Sequence, residues 1–128
     1  MIPPFTGRCL CGAVTYQCSA EPLWQGHCHC ESCRRATASP MTSYFGMADG
    51  TWQINGLPLS TWESSPGAIR EFCPRCGTQM TYRSSRFPGE RHFFAATLDH
   101  PEAFRPAAHY FWAEHLPWLC LCDDLPRQ

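Results

Sequence analysis

Three cysteines fall within six residues in Cys28-His29-Cys30-Glu31-Ser32-Cys33, and two arginines, Arg34 and Arg35, follow at once. Clustered thiolates suit zinc, which takes tetrahedral sulfur and nitrogen ligands. Three ligands are one short of closure. A site with three protein ligands keeps its fourth position for water or substrate, whereas a closed four-ligand site is usually structural. Two readings of the trio stay open. In one, His27 or His29 closes a structural Cys₃His site. In the other, the site is an open Cys₃ set that takes an exogenous ligand, while Arg34 and Arg35 meet that ligand's carboxylates. A small anionic thiol fits the second reading, with its sulfur ionised by the metal, and Glu31 is a candidate proton shuttle by adjacency alone.

A second cluster has the form of a zinc knuckle. In Cys73-Pro74-Arg75-Cys76-Gly77, two sulfurs chelate one ion, the turn between them aims amides at sulfur, and the glycine accepts a positive φ. A knuckle supplies two ligands and needs two more. Cys9 and Cys11, also followed by a glycine, are the natural complement, which makes a closed Cys₄ site. Such a site ties the first strand to a distant hairpin, so metal binding contributes directly to folding. Cys18 reads as a packed strand residue, and Cys120 and Cys122, flanking Leu121, read as structural. His92, His100, His109 and His115 show no metal-like spacing with the thiols and are assigned no chemistry. The tryptophans and the Phe93-Phe94 and Tyr110-Phe111 pairs are core candidates.

The elements that must position these thiols are short. Only 16% of the 128 residues are charged, 44% are hydrophobic, and 12 prolines and 9 glycines interrupt every long run, which predicts an all-β domain over 1–128 with at most short helical turns. After an N-terminal tail, strands are expected over Ala13 to Cys18, Leu23 to His27, Met41 to Met47, around Trp52 to Ile54 and Ser60 to Trp62, then Ala68 to Phe72, Thr78 to Arg83, Arg91 to Leu98 and Ala108 to Trp112. Glu31 to Ala36 is expected to form one helical turn whose amides face the metal. Glu63 to Gly67 is expected to be a loop, with a turn at Asp99 to Glu102.

Composition also excludes classes of function. A net charge of −1 gives no basic excess for nucleic acid. Apolar runs fall far short of the roughly 20 residues of a membrane-spanning helix. The opening Met1-Ile2-Pro3-Pro4-Phe5 has no basic start and no apolar core of a secretory leader, so a reducing cytoplasm is expected, where close cysteine pairs bind metal rather than form disulfides.

The order Gly7-x-Cys9-x-Cys11-Gly12, then Cys28-His29-Cys30-x-x-Cys33-Arg34, then Phe72-Cys73-x-x-Cys76-Gly77-Thr78 resembles the glutathione-dependent formaldehyde-activating enzyme family. So do Thr97-Leu98-Asp99-His100-Pro101, His109-Tyr110-Phe111, Pro117-Trp118 and Asp124-Leu125-Pro126. A glycine that commonly follows the central run in this family is replaced by Ala36-Thr37-Ala38-Ser39. The resemblance implies a tent-like zinc-binding β fold, with a structural zinc on Cys9, Cys11, Cys73 and Cys76 and a second zinc on Cys28, Cys30 and Cys33. It also implies a carbon–sulfur lyase-type activity, S-(hydroxymethyl)glutathione synthase-like, with glutathione and formaldehyde as partners. The family includes a centromere-associated protein, so a non-catalytic zinc module for protein interaction is the alternative, as is detoxification of another electrophile with a different thiol.

Overall fold

The computed structural model describes residues 1–128. Ten strands form two sheets: β1 (Phe5–Arg8), β2 (Val14–Cys18), β3 (Trp24–Cys28), β4 (Thr42–Ala48), β5 (Trp52–Gly56), β6 (Ser60–Ser65), β7 (Ala68–Phe72), β8 (Gln79–Ser84), β9 (Glu90–Phe94) and β10 (His109–Tyr110). The small sheet has the order β1-β2-β5 and the large one β10-β3-β4-β9-β8-β7-β6. All pairings are antiparallel except β10 with β3. The all-β class expected from composition is what forms, with a single α-helix, α1 (Glu31–Thr37).

Period-two alternation of side chains gives the large sheet two different faces. One carries Phe45, Met47 and Phe93, joined by Met80 at the register shift between β7 and β8, and these pack on Val14, Tyr16 and Cys18 of the small sheet and are fully or almost fully buried. Phe45 and Phe93 stack with ring centroids 5.5 Å apart, and Tyr16 meets Phe93 at 4.8 Å. Each such side chain contributes about 1.5–3 kcal/mol by leaving water. The other face holds the intervening residues Tyr44, Gly46, His92, Phe94 and Tyr82. That second face is walled by rings rather than by another sheet. A Cβ on Gly46 would lie 2.2 Å from the Trp24 indole, and one on Gly26 would lie 2.3 Å from the Tyr110 ring. The two glycines let those aromatics lie flat on the strands.

Several boundaries differ from expectation. The N-terminal tail contains β1, which pairs with β2 from Phe5↔Cys18 to Arg8↔Thr15, and Tyr16 occupies the space over Gly7. β6 continues through the expected loop to Ser65, leaving only Pro66 and Gly67 as the turn into β7. β9 stops at Phe94 instead of reaching Leu98, because the Thr97 hydroxyl donates back to the Phe94 carbonyl at 2.7 Å and a 3-10 turn forms over Ala95–Thr97. The last strand shrinks to His109–Tyr110. Phe111 adopts φ 56, and a 3-10 turn follows over Trp112–Glu114.

Helix α1 forms where one helical turn was expected, capped by Cys30, whose sulfur accepts the Cys33 N–H at 3.3 Å. It ends on Ala38 at φ 51, ψ 36, in the left-handed region that glycine occupies most readily. A side chain there costs about 1–2 kcal/mol, against about 0.4–1 kcal/mol for the extra freedom glycine gives the unfolded chain. Ala38→Gly is therefore expected to stabilise the protein by about 0.5–1 kcal/mol, read as a higher denaturant midpoint with an unchanged slope.

Candidate functional site

The β1–β2 connection and the tip of the β7–β8 hairpin bring Cys9, Cys11, Cys73 and Cys76 together, all four sulfurs lying within 4.8 Å of one another. Backbone geometry prepares this meeting. Gly77, at φ 77, donates its N–H to the Cys73 carbonyl at 2.9 Å, and Cys73 donates to Thr78 at 2.9 Å. On the facing loop, Cys9 donates to the Val14 carbonyl at 3.0 Å and the Val14 amide donates to the Cys9 sulfur at 3.3 Å. The Thr78 hydroxyl joins the two loops, meeting Cys76 Sγ at 3.1 Å and accepting the Leu10 N–H at 3.1 Å.

Sulfur separations of 3.6 Å for Cys9–Cys11 and 3.9 Å for Cys11–Cys73 bracket the edge of a tetrahedron with metal–sulfur bonds of about 2.3 Å, which is about 3.8 Å. The donor set fits a metal ion. The Thr78 hydroxyl and nearby amides hold the Cys76 thiol down to about 5, while Cys11 is pushed up to about 11 by its neighbours against the pull of the Ala13 amide. Converging thiols oppose one another's ionisation, and a cation relieves that opposition.

Cys28, Cys30 and Cys33 form the second group, again with sulfurs within 4.8 Å. Cys28 ends β3, Cys30 caps α1 and Cys33 sits in its first turn. No histidine nitrogen joins this set. His27 and His29 alternate with the cysteines and point through the other face of the strand, where His27 Nδ1 meets Ser43 Oγ at 2.8 Å and His29 Nε2 meets His109 Nδ1 at 2.8 Å.

His109 Nε2 in turn contacts the Asp123 carboxylate at 3.0 and 3.1 Å. Because an ionised carboxylate only accepts, His109 turns a hydrogen on Nε2 toward Asp123. Burial lowers His29 to about 4, with the neighbouring imidazoles adding to the shift. The His29–His109–Asp123 chain is fully buried at both rings. It anchors the C-terminal segment behind the trio, where His109 also exchanges backbone bonds with Pro126 and Gln128.

Around Cys33 the structure supplies donors that sequence reasoning missed. Tyr44 Oη donates to its sulfur at 3.4 Å, and both terminal nitrogens of buried Arg70 lie 3.8 Å away. Arg70 is held by Ser64 Oγ at 3.1 Å and by the Tyr82 ring, 5.1 Å below its guanidinium carbon. Hydrogen bonds from Cys28 and Cys30, then from Tyr44, together with the Arg70 charge, hold Cys33 far down, at about 2. Hydrogen bonds with Cys30 and Cys33, and burial behind them, drive Cys28 far up.

The trio opens into a cavity of about 700 Å³, walled by Trp24, Tyr44, Tyr82, Phe87 and Tyr110, with Arg70 inside and Arg86 also lining it. That volume encloses a small organic ligand. Arg34, Arg35 and Glu31 do not line it. Arg35 turns outward to pair with Glu31 at 2.9 Å, both largely exposed. The guanidinium groups expected from the adjacent pair come instead from β7 and from the β8–β9 connection. The signal available for Arg70 was its place two residues on from Ala68 in the short strand Ala68–Phe72, on the alternate face from Ile69 and Glu71. Cys18 is buried in the core, as expected of a packed strand residue, while Cys120 and Cys122 are exposed and free.

A family described as "Glutathione-dependent formaldehyde-activating enzyme" matches residues 4–114. A protein of Schizosaccharomyces pombe named "Uncharacterized lyase C29B12.13" is 31% identical over 81 residues, which span 63% of this chain and 58% of the relative's length. A crystal structure of a Rhodobacter sphaeroides protein, solved as a structural genomics target, superposes with a TM-score of 0.62 over 73% of this chain and 87% of its own, at 23% identity.

The two thiol groups should respond differently to loss of one sulfur. Cys73→Ser is expected to yield insoluble or unfolded protein. Cys30→Ser is expected to fold while binding one metal ion fewer per chain, as read by elemental analysis beside thermal unfolding.

Proposed function

The chain belongs to the glutathione-dependent formaldehyde-activating enzyme family, and on that premise we propose that it is a zinc-dependent carbon–sulfur lyase-type enzyme joining a thiol such as glutathione to formaldehyde or a related small carbonyl compound, and releasing them in the reverse direction. The observation that carries this reading is the trio of thiols with no protein-derived fourth donor, opening into a cavity large enough for both partners. Cys9, Cys11, Cys73 and Cys76 would hold the structural zinc, and Cys28, Cys30 and Cys33 the second. Zinc at the trio supplies Lewis acidity, which lowers the pKa of a thiol and polarises a carbonyl oxygen.

The protein's own side chains do the rest. Arg70 and Tyr44 offset the negative charge that accumulates at Cys33, so a second anion can approach. Arg86 lines the cavity with its head group exposed and is suited to a substrate carboxylate. Glu114, which accepts the Glu31 amide at 3.1 Å, offers the opposite charge for an ammonium. Thiols add to small aldehydes without help, so the benefit lies in holding sulfur and carbonyl carbon in line within a partly closed space. The free state of all ten cysteines suits a reducing compartment such as the cytoplasm. The rival, a non-catalytic zinc module, would use exposed aromatics such as Trp62 and Trp118 as its contact.

The test is titration of the cobalt-substituted protein with glutathione. A new sulfur-to-cobalt charge-transfer band and a rise in melting temperature are expected. An unchanged spectrum and unchanged stability at millimolar glutathione would remove the proposed activity in favour of the module. Arg86→Ala is expected to raise KM for glutathione about tenfold with kcat preserved, the mark of lost uniform binding.

A further inference from the structure

We propose that His92, held in place by Glu90, is the acid–base residue of this cavity, taking the proton of the incoming thiol and delivering it to the oxygen of the carbonyl compound. The inference rests on the thiol–carbonyl reading above and adds the group that moves the proton.

Glu90 and His92 lie two apart on β9, so both face the cavity. His92 Nε2 is 3.0 Å from Glu90 Oε2, and the same oxygen accepts the Trp24 indole N–H at 2.9 Å. The ring is fixed from several sides. Trp24 meets it edge-on at 4.7 Å and 89°, Phe87 lies at 5.1 Å, Tyr82 of β8 at 5.7 Å and Tyr44 of β4 at 6.4 Å. Gly46 stands directly across from His92 in the sheet register, and that is where the Trp24 indole finds room.

An ionised carboxylate can only accept, so Glu90 places the hydrogen on Nε2 and leaves Nδ1 as the basic nitrogen. Burial lowers the pKa of His92 and Glu90 partly restores it, so the ring is neutral and able to take a proton. The charged and titratable groups around it are Glu90 on its own strand, Tyr44 on β4, Tyr82 on β8, Arg70 beyond Tyr82 on β7, and Cys33 of α1, whose charge acts on the ring in the same sense as Glu90. Of these, only Glu90 bonds to the ring.

The other imidazole of the lining, His27, has its Nδ1 on Ser43 and its ring stacked on His109 at 5.0 Å, and Glu114 lies against the α1 amide, where it is assigned to the substrate's ammonium. Tyr44 links the dyad to the trio, since its hydroxyl lies on Cys33 while its ring faces His92.

The step balances without an oxidant or reductant. His92 Nδ1 takes the S–H proton, and the sulfur electron pair forms the carbon–sulfur bond. The carbonyl π pair moves onto oxygen, and the imidazolium returns its proton there. The reverse breaks the same bond.

Calorimetry of glutathione binding to the zinc-loaded protein, in buffers of different ionisation enthalpy, counts the protons released. The wild type is expected to release close to none, because His92 retains the proton, whereas His92→Gln should release about one per thiol bound. Glu90→Gln should fall between the two. Zinc content and thermal unfolding establish that each variant is folded. Should His92→Gln fail to fold, the ¹⁵N shifts of the wild-type ring decide: they are expected to move to the doubly protonated form when glutathione saturates.

Exchange of formaldehyde with glutathione, followed by NMR, should slow about a hundredfold or more in His92→Gln. Binding with the same proton count in wild type and variant, or a ring that stays neutral, would overturn the role of His92 alone. Failure of glutathione to bind the wild type would overturn the thiol reading and this inference with it.

Discussion

Mutual repulsion among ionised sulfurs is the constraint on which this structure turns. Seven cysteine sulfurs are drawn into two groups, each within 4.8 Å, and at that spacing several negative charges cannot coexist without a compensating cation. The chain answers in two ways. At the Cys₄ group the loops donate amides and a hydroxyl to sulfur, and the fold from β1 to the β7–β8 hairpin closes only if those loops meet. At the trio, charge is offset from the side by Arg70 and Tyr44, which leaves the cavity direction open.

The division of labour between the groups follows from the two faces of one sheet. β4 is buried along nearly its whole length because Phe45 and Met47 face the hydrophobic core, while on the other face Tyr44 lines the cavity and Gly46 lies under the Trp24 indole. β9 repeats the arrangement, with Phe93 on the core and His92 on the cavity. A rigid, close-packed core therefore lies directly beneath the reactive face, and every cavity side chain is braced through its own backbone. The histidines beside the trio sort by the same rule: His29 bonds to His109 and through it to Asp123, while His27 bonds to Ser43 and stacks on His109.

How much of this the sequence revealed depends on whether the information was local. Both thiol groups are built from turns whose spacing is visible in a few residues, so Cys9, Cys11, Cys73 and Cys76, and separately Cys28, Cys30 and Cys33, were grouped correctly. Cavity residues on the sheet come from strands far apart in sequence. Trp24, Gly46, His92, Tyr82 and Arg70 align only through the registers Trp24↔Gly46↔His92↔Tyr82↔Arg70, and register across long connections leaves no trace in the spacing of one chain. His92 was passed over because it was compared with the cysteines along the sequence rather than across the sheet. β1 was missed for a related reason: Gly7 weakens its own strand signal and is tolerated because Tyr16 fills the space above it.

The arginines show why adjacency misled where topology would not have. In a helix each residue turns about 100° from the last, so the positions after Cys33 diverge from it: Arg34 swings to the flank and Arg35 nearly to the far side, where it meets Glu31 one turn earlier. A guanidinium next in sequence to a metal-binding cysteine on a helix is thereby directed away from the metal. Arg70 is 37 positions distant yet lies 3.8 Å from the Cys33 sulfur, because β7 is separated from β4 only by β8 and β9, and its cavity-facing side chain needs no turn to arrive. An exposed guanidinium brings solvated charge, while Arg70, 4% exposed, brings charge already stripped of water. In that low-dielectric setting its attraction for sulfur is stronger, and it adds to the hydrogen bonds from Cys28, Cys30 and Tyr44 that hold the Cys33 thiol down.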